Sequence, residues 1–279
     1  IVKAATKEEA IKDVDMYKGS GFAQIKIYSS VAPQIVRVIT DEAHRLGLTV
    51  TGHIPQGMTV KAGVDSGMDQ VNHIHFVYAM MKKMPDNSAD LADSANVAVL
   101  DYLKAHHTVI DPTLGVYEMI FRSVKDDIRE LEPNYNTLPT PLQVLFQNMG
   151  MPAEQAKLAR PRMQTLMNLV KAMHDKDIPI VAGTDMGFPG YSVPRELELY
   201  VQAGLTPMEA IKAATIVPAQ VMNMDKRTGS VRAGKQADLV IVDGDPLKEI
   251  RNIRNVWIVI KEGQEYDTVV LHRMVGFKM

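Results

Sequence analysis

Several strand-like apolar runs in this chain end in a polar side chain that can take part in chemistry. The runs end at or beside Lys26, His53, His73 and Asp185. In a sheet of parallel strands, the carboxyl ends of the strands meet at one edge, and in parallel barrels that edge carries the active site. The feature favours a fold with parallel strands. It also predicts that these four side chains surround one site able to hold a metal ion.

Strand patterns alternate with helix patterns as far as residue 185. Residues 6–18, for example, place apolar side chains at helical spacing and end at a glycine-containing turn. The predicted strands cover 22–28, 48–52, 68–74, 108–112 and 178–183. This alternation predicts an α/β fold, and a (β/α) TIM-type barrel is the economical arrangement. Only five units are visible where a full barrel has eight, so we expect an incomplete or truncated barrel with about three units before Ile1.

Two segments depart from the alternation. Residues 115–162 form a proline-containing insertion with helical pieces, and loops of this size usually cover active sites, so we interpret it as a lid. From Gly229 onward the pattern changes to alternating strands at 237–242 and 256–261. The prediction is a barrel domain over residues 1–228 and a small C-terminal β appendage over residues 229–279.

Composition excludes several classes of protein. The 279 residues carry a net charge of −2 without a basic stripe, which argues against a nucleic-acid partner. Apolar runs are too short to span a membrane. The chain has no cysteine, which excludes disulfides, thiolate ligands and a thiol nucleophile. Localisation stays open, because this composition fits the cytoplasm and the periplasm alike.

The strand-end motifs, taken with a segment near the C-terminus, resemble the amidohydrolase superfamily. The nearest branch is that of the imidazolonepropionase-like and Xaa-Pro dipeptidase-like enzymes, and the resemblance extends over essentially the whole chain. The motifs are Ile25-Lys26-Ile27, Thr51-Gly52-His53, Val71-Asn72-His73, Gly183-Thr184-Asp185 and Gly234-Lys235-Gln236-Ala237-Asp238-Leu239-Val240.

The resemblance implies a role for each strand-end residue. Lys26 would be carboxylated by carbon dioxide and bridge two divalent metal ions, most often zinc, because a carbamate offers two oxygens where a lysine offers none. His53 and His73 would be metal ligands. Asp185 would bind one metal and act as the acid/base catalyst. His75 competes with His73, because strand alternation would place both on one face.

One part of the family pattern is missing. The first-strand His-x-His of the family has no match, and the only such pattern, His73-Ile74-His75, lies on the wrong strand. Three explanations remain open. The chain is a fragment whose N-terminal part is separate, a natural truncation that keeps one metal, or a truncation that has lost the metal chemistry.

Three further residues are candidates for contact with substrate. Tyr28 shares strand alternation with Lys26, Tyr117 follows a strand end on the lid, and His75 lies next to a ligand position. The two tyrosines are equally compatible with packing, and His75 could contact either substrate or a metal ligand. The sequence thus predicts a hydrolase that uses metal-activated water to cleave a C–N or C–O bond in a small substrate, such as an amide, dipeptide, cyclic amide, ester or lactone.

Two alternatives stay open at this point. In the first, Asp185 pairs with Glu118 or Glu196 in a metal-independent hydrolase, for example a glycosidase. In the second, the chain is a catalytically inactive fragment that serves as an assembly or binding partner. Exposed sheet edges also predict a homodimer, or association with a missing N-terminal segment.

Overall fold

The computed structural model describes residues 2–185, 188 and 190–278 as a mixed α/β structure. Its helices are α1 Lys7–Gly19, α2 Pro33–Arg45, α3 Val60–Asp65, α4 Ile74–Met80, α5 Ser94–Ala105, α6 Leu114–Phe121, α7 Thr140–Gln147, α8 Ala153–Asp175, α9 Ser192–Ala203, α10 Pro207–Ala213, α11 Ile216–Val221 and α12 Thr268–Met274. Its strands are β1 Gln24–Ile27, β2 Thr49–Gly52, β3 Gln70–Asn72, β4 Val109–Asp111, β5 Leu239–Val242, β6 Val256–Lys261 and β7 Gln264–Asp267.

The described residues form two compact units. The first contains residues 2–112, 172–181 and 220–223, and the second contains the described residues of 113–171, 182–219 and 224–278. This division cuts across the domain boundary that the sequence predicts at residue 229. That boundary stays a prediction.

In the first unit, α1, β1, α2 and β2 form as the pattern predicts. Thr6 and Glu9 close a capping box at the start of α1, which satisfies backbone N–H groups that the helix leaves unpaired. Helix α2 begins at Pro33 and buries one apolar face. Strands β1 and β2 pair in parallel, with Lys26 opposite Thr51. The strand ends of two predicted units are therefore neighbours.

Strands β3 and β4 form a second parallel pair, with Asn72 opposite Asp111. The predicted strand 178–183 is reduced, among the described residues, to an isolated bridge that joins Ile180 to Ile110. Pro179 has no N–H to donate to a ladder, which limits pairing here. Among the described residues, the parallel strands form two-stranded sheets and do not close a barrel.

Two predicted boundaries were wrong. The predicted strand 68–74 ends at Asn72, and α4 begins two residues later, because His73 adopts a positive φ of 73° that interrupts extended backbone. The helix predicted to begin at Met163 begins ten residues earlier, at Ala153, and continues through Pro161.

In the second unit, the predicted insertion packs into an apolar cluster that also includes side chains from later in the chain. Its buried side chains are Met119, Ile128, Tyr135, Leu138, Phe146, Phe188, Tyr191 and Phe277. The buried Arg122 organises the adjoining backbone by donating to the carbonyls of Asp126 and Met149 at 2.6 and 2.7 Å. Its function as a lid stays a prediction.

The C-terminal segment contains the predicted antiparallel strands. Val240 of β5 lies opposite Val259 of β6, and β7 adds a third strand before α12. None of the described helices is long and apolar enough to cross a membrane.

Candidate active site

The structure brings two predicted ligands together in the first unit. The Nε2 atoms of His53 and His73 are 2.9 Å apart, and the ring centroids are 4.5 Å apart. His53 follows β2 and donates its backbone N–H to Ile27 at 3.0 Å, whereas His73 follows β3 and donates to Asp111 at 2.7 Å. Both rings are therefore held at the carboxyl ends of neighbouring parallel strands.

The two imidazoles converge as two ligands of one ion would. Zinc binds histidine nitrogens at about 2.0–2.1 Å in tetrahedral geometry, so two nitrogens on one ion lie about 3.3 Å apart. The observed 2.9 Å separation is that of a hydrogen bond between the two rings, about 0.4 Å shorter than the separation of two ligands. Among residues 2–185, 188 and 190–278, no group of three His, Cys, Asp or Glu side chains is arranged as a complete metal site. The structure brings the two predicted ligands together, and their role as ligands stays a prediction.

Lys26 lies on the strand next to the histidine pair. Its register partner is Thr51, two residues before His53, and its side chain is exposed. Paired residues of a parallel ladder point to the same side of the sheet, so Lys26 shares a face with Thr51, and His53 follows one residue after the end of β2. The position is compatible with the predicted ligand role. Its carboxylation stays a prediction.

A row of polar side chains that the sequence analysis missed lies beside the histidines. The hydroxyl of Thr51 donates to Asn72 Oδ1 at 2.7 Å, and the amide of Gln70 donates to the same oxygen at 2.9 Å. Asn72 in turn lies opposite the buried Asp111. The available signal in the sequence was the presence of polar residues in otherwise apolar strands, because buried polar groups need hydrogen-bond partners. The row fixes the strand ends that carry the histidines.

Aromatic rings surround the histidine pair. Tyr28 contacts His53 edge-on at a centroid distance of 4.7 Å and is 47% exposed, so it is open to a ligand. Phe76, which the sequence analysis did not single out, lies 6.4 Å from His53. The role of Tyr28 in substrate binding stays a prediction.

The expectation that His75 shares a strand face with His73 was wrong. His75 lies in the first turn of α4, because the strand ends before it. The centroid of its ring lies 4.0 Å from that of Phe76, with the two rings tilted by 36°, and 6.0 Å from that of His73. Partial burial disfavours the charged form of the His75 imidazole and lowers its pKa, and repulsion by a charged His53 lowers the pKa further. The residue nevertheless remains beside the candidate site.

The other predicted site residues belong to the second unit. Asp185 is exposed and has a positive φ of 44°, a conformation that aspartate tolerates better than most residues. Tyr117 is half-buried on α6, with its ring 5.9 Å from Phe121. The catalytic role of Asp185 and the substrate-binding role of Tyr117 stay predictions.

Both carboxylates of the metal-independent alternative make structural contacts. Glu118 accepts two hydrogen bonds from Arg195 at 2.6 and 2.8 Å. Glu196 is fully buried and accepts the backbone N–H groups of Leu114 and Gly115 at the start of α6, both at 2.7 Å. An N-terminal carboxylate of this kind stabilises a helix. These contacts do not favour a carboxylate pair built with Asp185.

A chain of buried ion pairs continues from Glu118. Arg195 also donates to Glu198 at 2.8 Å, Glu198 accepts from Arg254, and Arg254 donates to Glu132 at 2.8 and 2.9 Å. Burial disfavours the charge of Arg195, but Glu118 and Glu198 outweigh it and raise its pKa. Burial raises the pKa of Glu132, and Arg254 offsets only part of the increase.

Comparison with known proteins identifies the family. The model of the amidohydrolase family matches residues 2–270. The chain belongs to the amidohydrolase family. The Aspergillus niger ochratoxinase is 24% identical over 231 residues, which cover 80% of this chain and 38% of that protein. An imidazolonepropionase from Picrophilus torridus is 33% identical over 79 residues, 27% of this chain and 20% of that protein.

Solved structures show the same fold. A Xaa-Pro dipeptidase with bound methionine matches with a TM-score of 0.64 and 21% identity, covering 95% of this chain and 59% of that one. The chain therefore spans well under two thirds of the length of these amidohydrolase relatives. Members of the family generally bind divalent metal.

Proposed function

We propose that this chain is part of a metal-dependent hydrolase that cleaves a C–N bond in a small substrate. The observation that carries the proposal is the 2.9 Å separation of the His53 and His73 Nε2 atoms at neighbouring strand ends. Membership of the amidohydrolase family supports the same reaction class. C–O bonds of esters and lactones are the second class of substrate to examine.

His53, His73 and a carboxylated Lys26 are the proposed holders of one or two divalent ions, with zinc as the first choice. A bound ion supplies Lewis acidity, which polarises a carbonyl and lowers the pKa of water. Asp185 keeps its predicted roles as a metal ligand and as the group that takes the proton of the attacking water and returns it to the leaving nitrogen. That assignment rests on the Gly183-Thr184-Asp185 motif.

Tyr28, Tyr117 and His75 are the proposed substrate contacts. The exposed ring of Tyr28 beside His53 gives it the strongest geometric support of the three. Dipeptides are the first substrates to examine, because one structural relative is a Xaa-Pro dipeptidase.

We also propose that the chain represents the later part of a truncated barrel and works as a homodimer or with a separate N-terminal segment. Among the described strands, β1 pairs only with β2, so its other edge lacks a strand partner. Unpaired edges favour association with another chain. Light scattering coupled to size-exclusion chromatography is expected to give twice the 30.9 kDa chain mass, and a monomer at all concentrations would contradict the dimer.

The decisive experiment combines zinc content with hydrolysis of a panel of Xaa-Pro dipeptides and N-acyl amino acids. We expect at least one zinc per chain and turnover that chelator removes and zinc restores. His53→Asn is expected to lose both zinc and turnover, whereas Asp185→Asn loses turnover with zinc reduced but retained through His53 and His73. His107→Asn is the matched control, because His107 is an exposed histidine with a positive φ that asparagine tolerates.

Chelator-resistant turnover would contradict the metal proposal. If the protein hydrolyses no member of the panel, and the Asp185→Asn variant binds partner proteins with the same affinity as the wild type, a non-catalytic assembly role is favoured.

A further inference from the structure

Two aromatic side chains, Tyr28 and Phe76, contact the ring of His53 from the ends of two different strands. Tyr28 directly follows β1, and its ring meets that of His53 at a centroid distance of 4.7 Å and an angle of 68°. Phe76 lies in the first turn of α4, which follows β3, and its ring meets that of His53 at 6.4 Å and 87°. Both distances are typical of aromatic contacts. This aromatic pair therefore borders the imidazole at the centre of the candidate site.

Core packing does not account for the position of either ring. Helix α4 is anchored by Ile74 and Val77, which are fully buried and lie three residues apart on one face of the helix. Phe76 lies off that face and is only half-buried, and Tyr28 is 47% exposed. Apolar ring surface that stays in contact with water beside a polar site is stabilised when a ligand covers it. The aromatic pair therefore offers a surface for a ligand.

We propose that Tyr28 and Phe76 bind an aromatic group of the substrate next to the scissile C–N bond. The inference rests on the proposed function, because it names the substrate class for the same site. Ligand sites typically combine aromatic walls with a few polar groups, and here the aromatic pair supplies the walls beside the polar nitrogens of His53. An aromatic group on the substrate gains both burial of its own apolar surface and contact between rings. The substrate class is therefore amides that carry an aromatic group beside the bond to be cleaved.

Two amides probe this preference. Phenylacetyl-L-phenylalanine carries a phenyl ring on each side of its amide bond, and N-acetyl-L-alanine carries none. The first test measures binding without turnover, by saturation-transfer NMR on the full chain in chelator. The aromatic pair belongs to the protein itself, so we expect saturation to reach the phenyl protons even when no metal is bound.

Substitutions at the two rings test which groups make the contact. Phe76→Leu keeps an apolar side chain at a half-buried position but removes the ring, and it is expected to weaken binding of the aromatic amide about 3–10-fold. Tyr28→Leu is expected to have a similar effect. Tyr28→Phe should retain the affinity of the wild type, because the ring remains.

Phe22→Leu is the matched control. Phe22 is 55% exposed in the same unit and precedes β1, whereas Tyr28 follows that strand. This variant is expected to bind the aromatic amide like the wild type. Circular dichroism checks that each variant folds.

The second test measures kcat/KM for the two amides with zinc present. We expect the wild type to prefer phenylacetyl-L-phenylalanine by at least about 10-fold, and Phe76→Leu to lower that preference about 3–10-fold. A purely structural role of Phe76 would reduce kcat/KM for both amides by the same factor. The ratio of the two values therefore reports contact with the aromatic group.

The outcomes separate this inference from the proposed function. If no saturation reaches the phenyl protons, or if Phe76→Leu and Tyr28→Leu bind the aromatic amide like the wild type, the inference is wrong. If both amides are hydrolysed and neither variant changes the ratio of kcat/KM, the hydrolase stands and the aromatic preference is wrong. If the variants lose affinity but the wild type with zinc hydrolyses neither amide, the aromatic pair binds aromatic amides and the proposed hydrolysis is wrong.

Discussion

At the scale of single residues, the candidate site depends on Gly52, which allows the chain to reach His53. Gly52 has a φ of 143°, and a Cβ at this position would lie 2.0 Å from the carbonyl oxygen of Ile27. That carbonyl accepts the N–H of His53. Only glycine permits so close an approach between the two backbones. Gly52 thus sets the position of the backbone, and His53 supplies the imidazole.

Gly52→Ala is expected to destabilise the protein by about 2–4 kcal/mol, since backbone strain adds to a clash that a rigid neighbour cannot relieve. Zinc affinity should fall with it, because His53 must shift. Gly57→Ala is the matched control. Gly57 also has a positive φ, of 81°, but its Cβ would meet open space, so a cost near 1 kcal/mol is expected. Urea unfolding with equal costs for the two variants would contradict the explanation.

At the scale of secondary-structure elements, the second unit is joined by its buried ion pairs. Glu118 lies on α6, Arg195 and Glu198 lie on α9, and Arg254 ends the 3₁₀ helix Ile250–Arg254 near the C-terminus. The side chains of Arg254 and Glu198 are only 8% and 4% exposed. Removing one member leaves the other charges buried without compensation. Three distant parts of the sequence therefore depend on one another.

Arg254→Leu is expected to lower the free energy of unfolding by about 3–5 kcal/mol, because Glu132 and Glu198 would lose a buried partner. Lys261→Ala serves as the control. Its ion pair with Asp238 is more than half exposed on the lysine side, so the expected loss is below about 1 kcal/mol. Denaturant unfolding of both variants measures the difference. A loss below 1 kcal/mol for Arg254→Leu would show that the network is not important for stability.

Glu132→Gln provides a pH-dependent test of the same network. Because burial raises the pKa of Glu132 in the folded protein, the stability that this carboxyl contributes is complete below its ordinary value of about 4.5 and is lost as pH rises through the higher folded pKa. The wild type minus variant difference in unfolding free energy should therefore decrease as pH rises above about 4.5. A difference that increases above this pH would show that Arg254 dominates and that the pKa is lowered instead.

Helix α8 contains an exposed proline in its interior, and this gives a third prediction for an element. Pro161→Ala is expected to stabilise the protein by about 2 kcal/mol, because about 3 kcal/mol of helix penalty is removed and about 1 kcal/mol of unfolded-state restriction is lost. The midpoint of urea unfolding should rise with an unchanged slope. A decrease would show that the proline shapes a bend on which packing depends.

At the scale of the whole molecule, the family is shown, whereas a barrel and the activity are proposals. Residues 2–270 match the amidohydrolase family, yet the chain covers only 38% of the Aspergillus niger ochratoxinase and 59% of the Xaa-Pro dipeptidase chain. Metal binding in the first unit can be measured on this chain alone.

Local sequence was enough to predict the early helices and the histidine pair. The capping box at Thr6, the proline at the start of α2 and the short apolar runs act over a few residues, so α1, α2, β1 and β2 could be recognised directly. The strand-end motifs also identified His53 and His73 correctly as neighbours. Parallel strands bring such ends together whatever lies between them.

Tertiary contacts decided the rest, for physical reasons that local patterns do not contain. His73 takes a positive φ where its N–H donates to the carbonyl of Asp111 in β4, and this ends the expected strand before α4 and moves His75 off the predicted face. Arg254 meets Glu132 and Glu198 across more than fifty residues of chain. Short-range propensity determined the elements, whereas hydrogen bonds and ion pairs between distant segments determined where those elements end and which side chains meet.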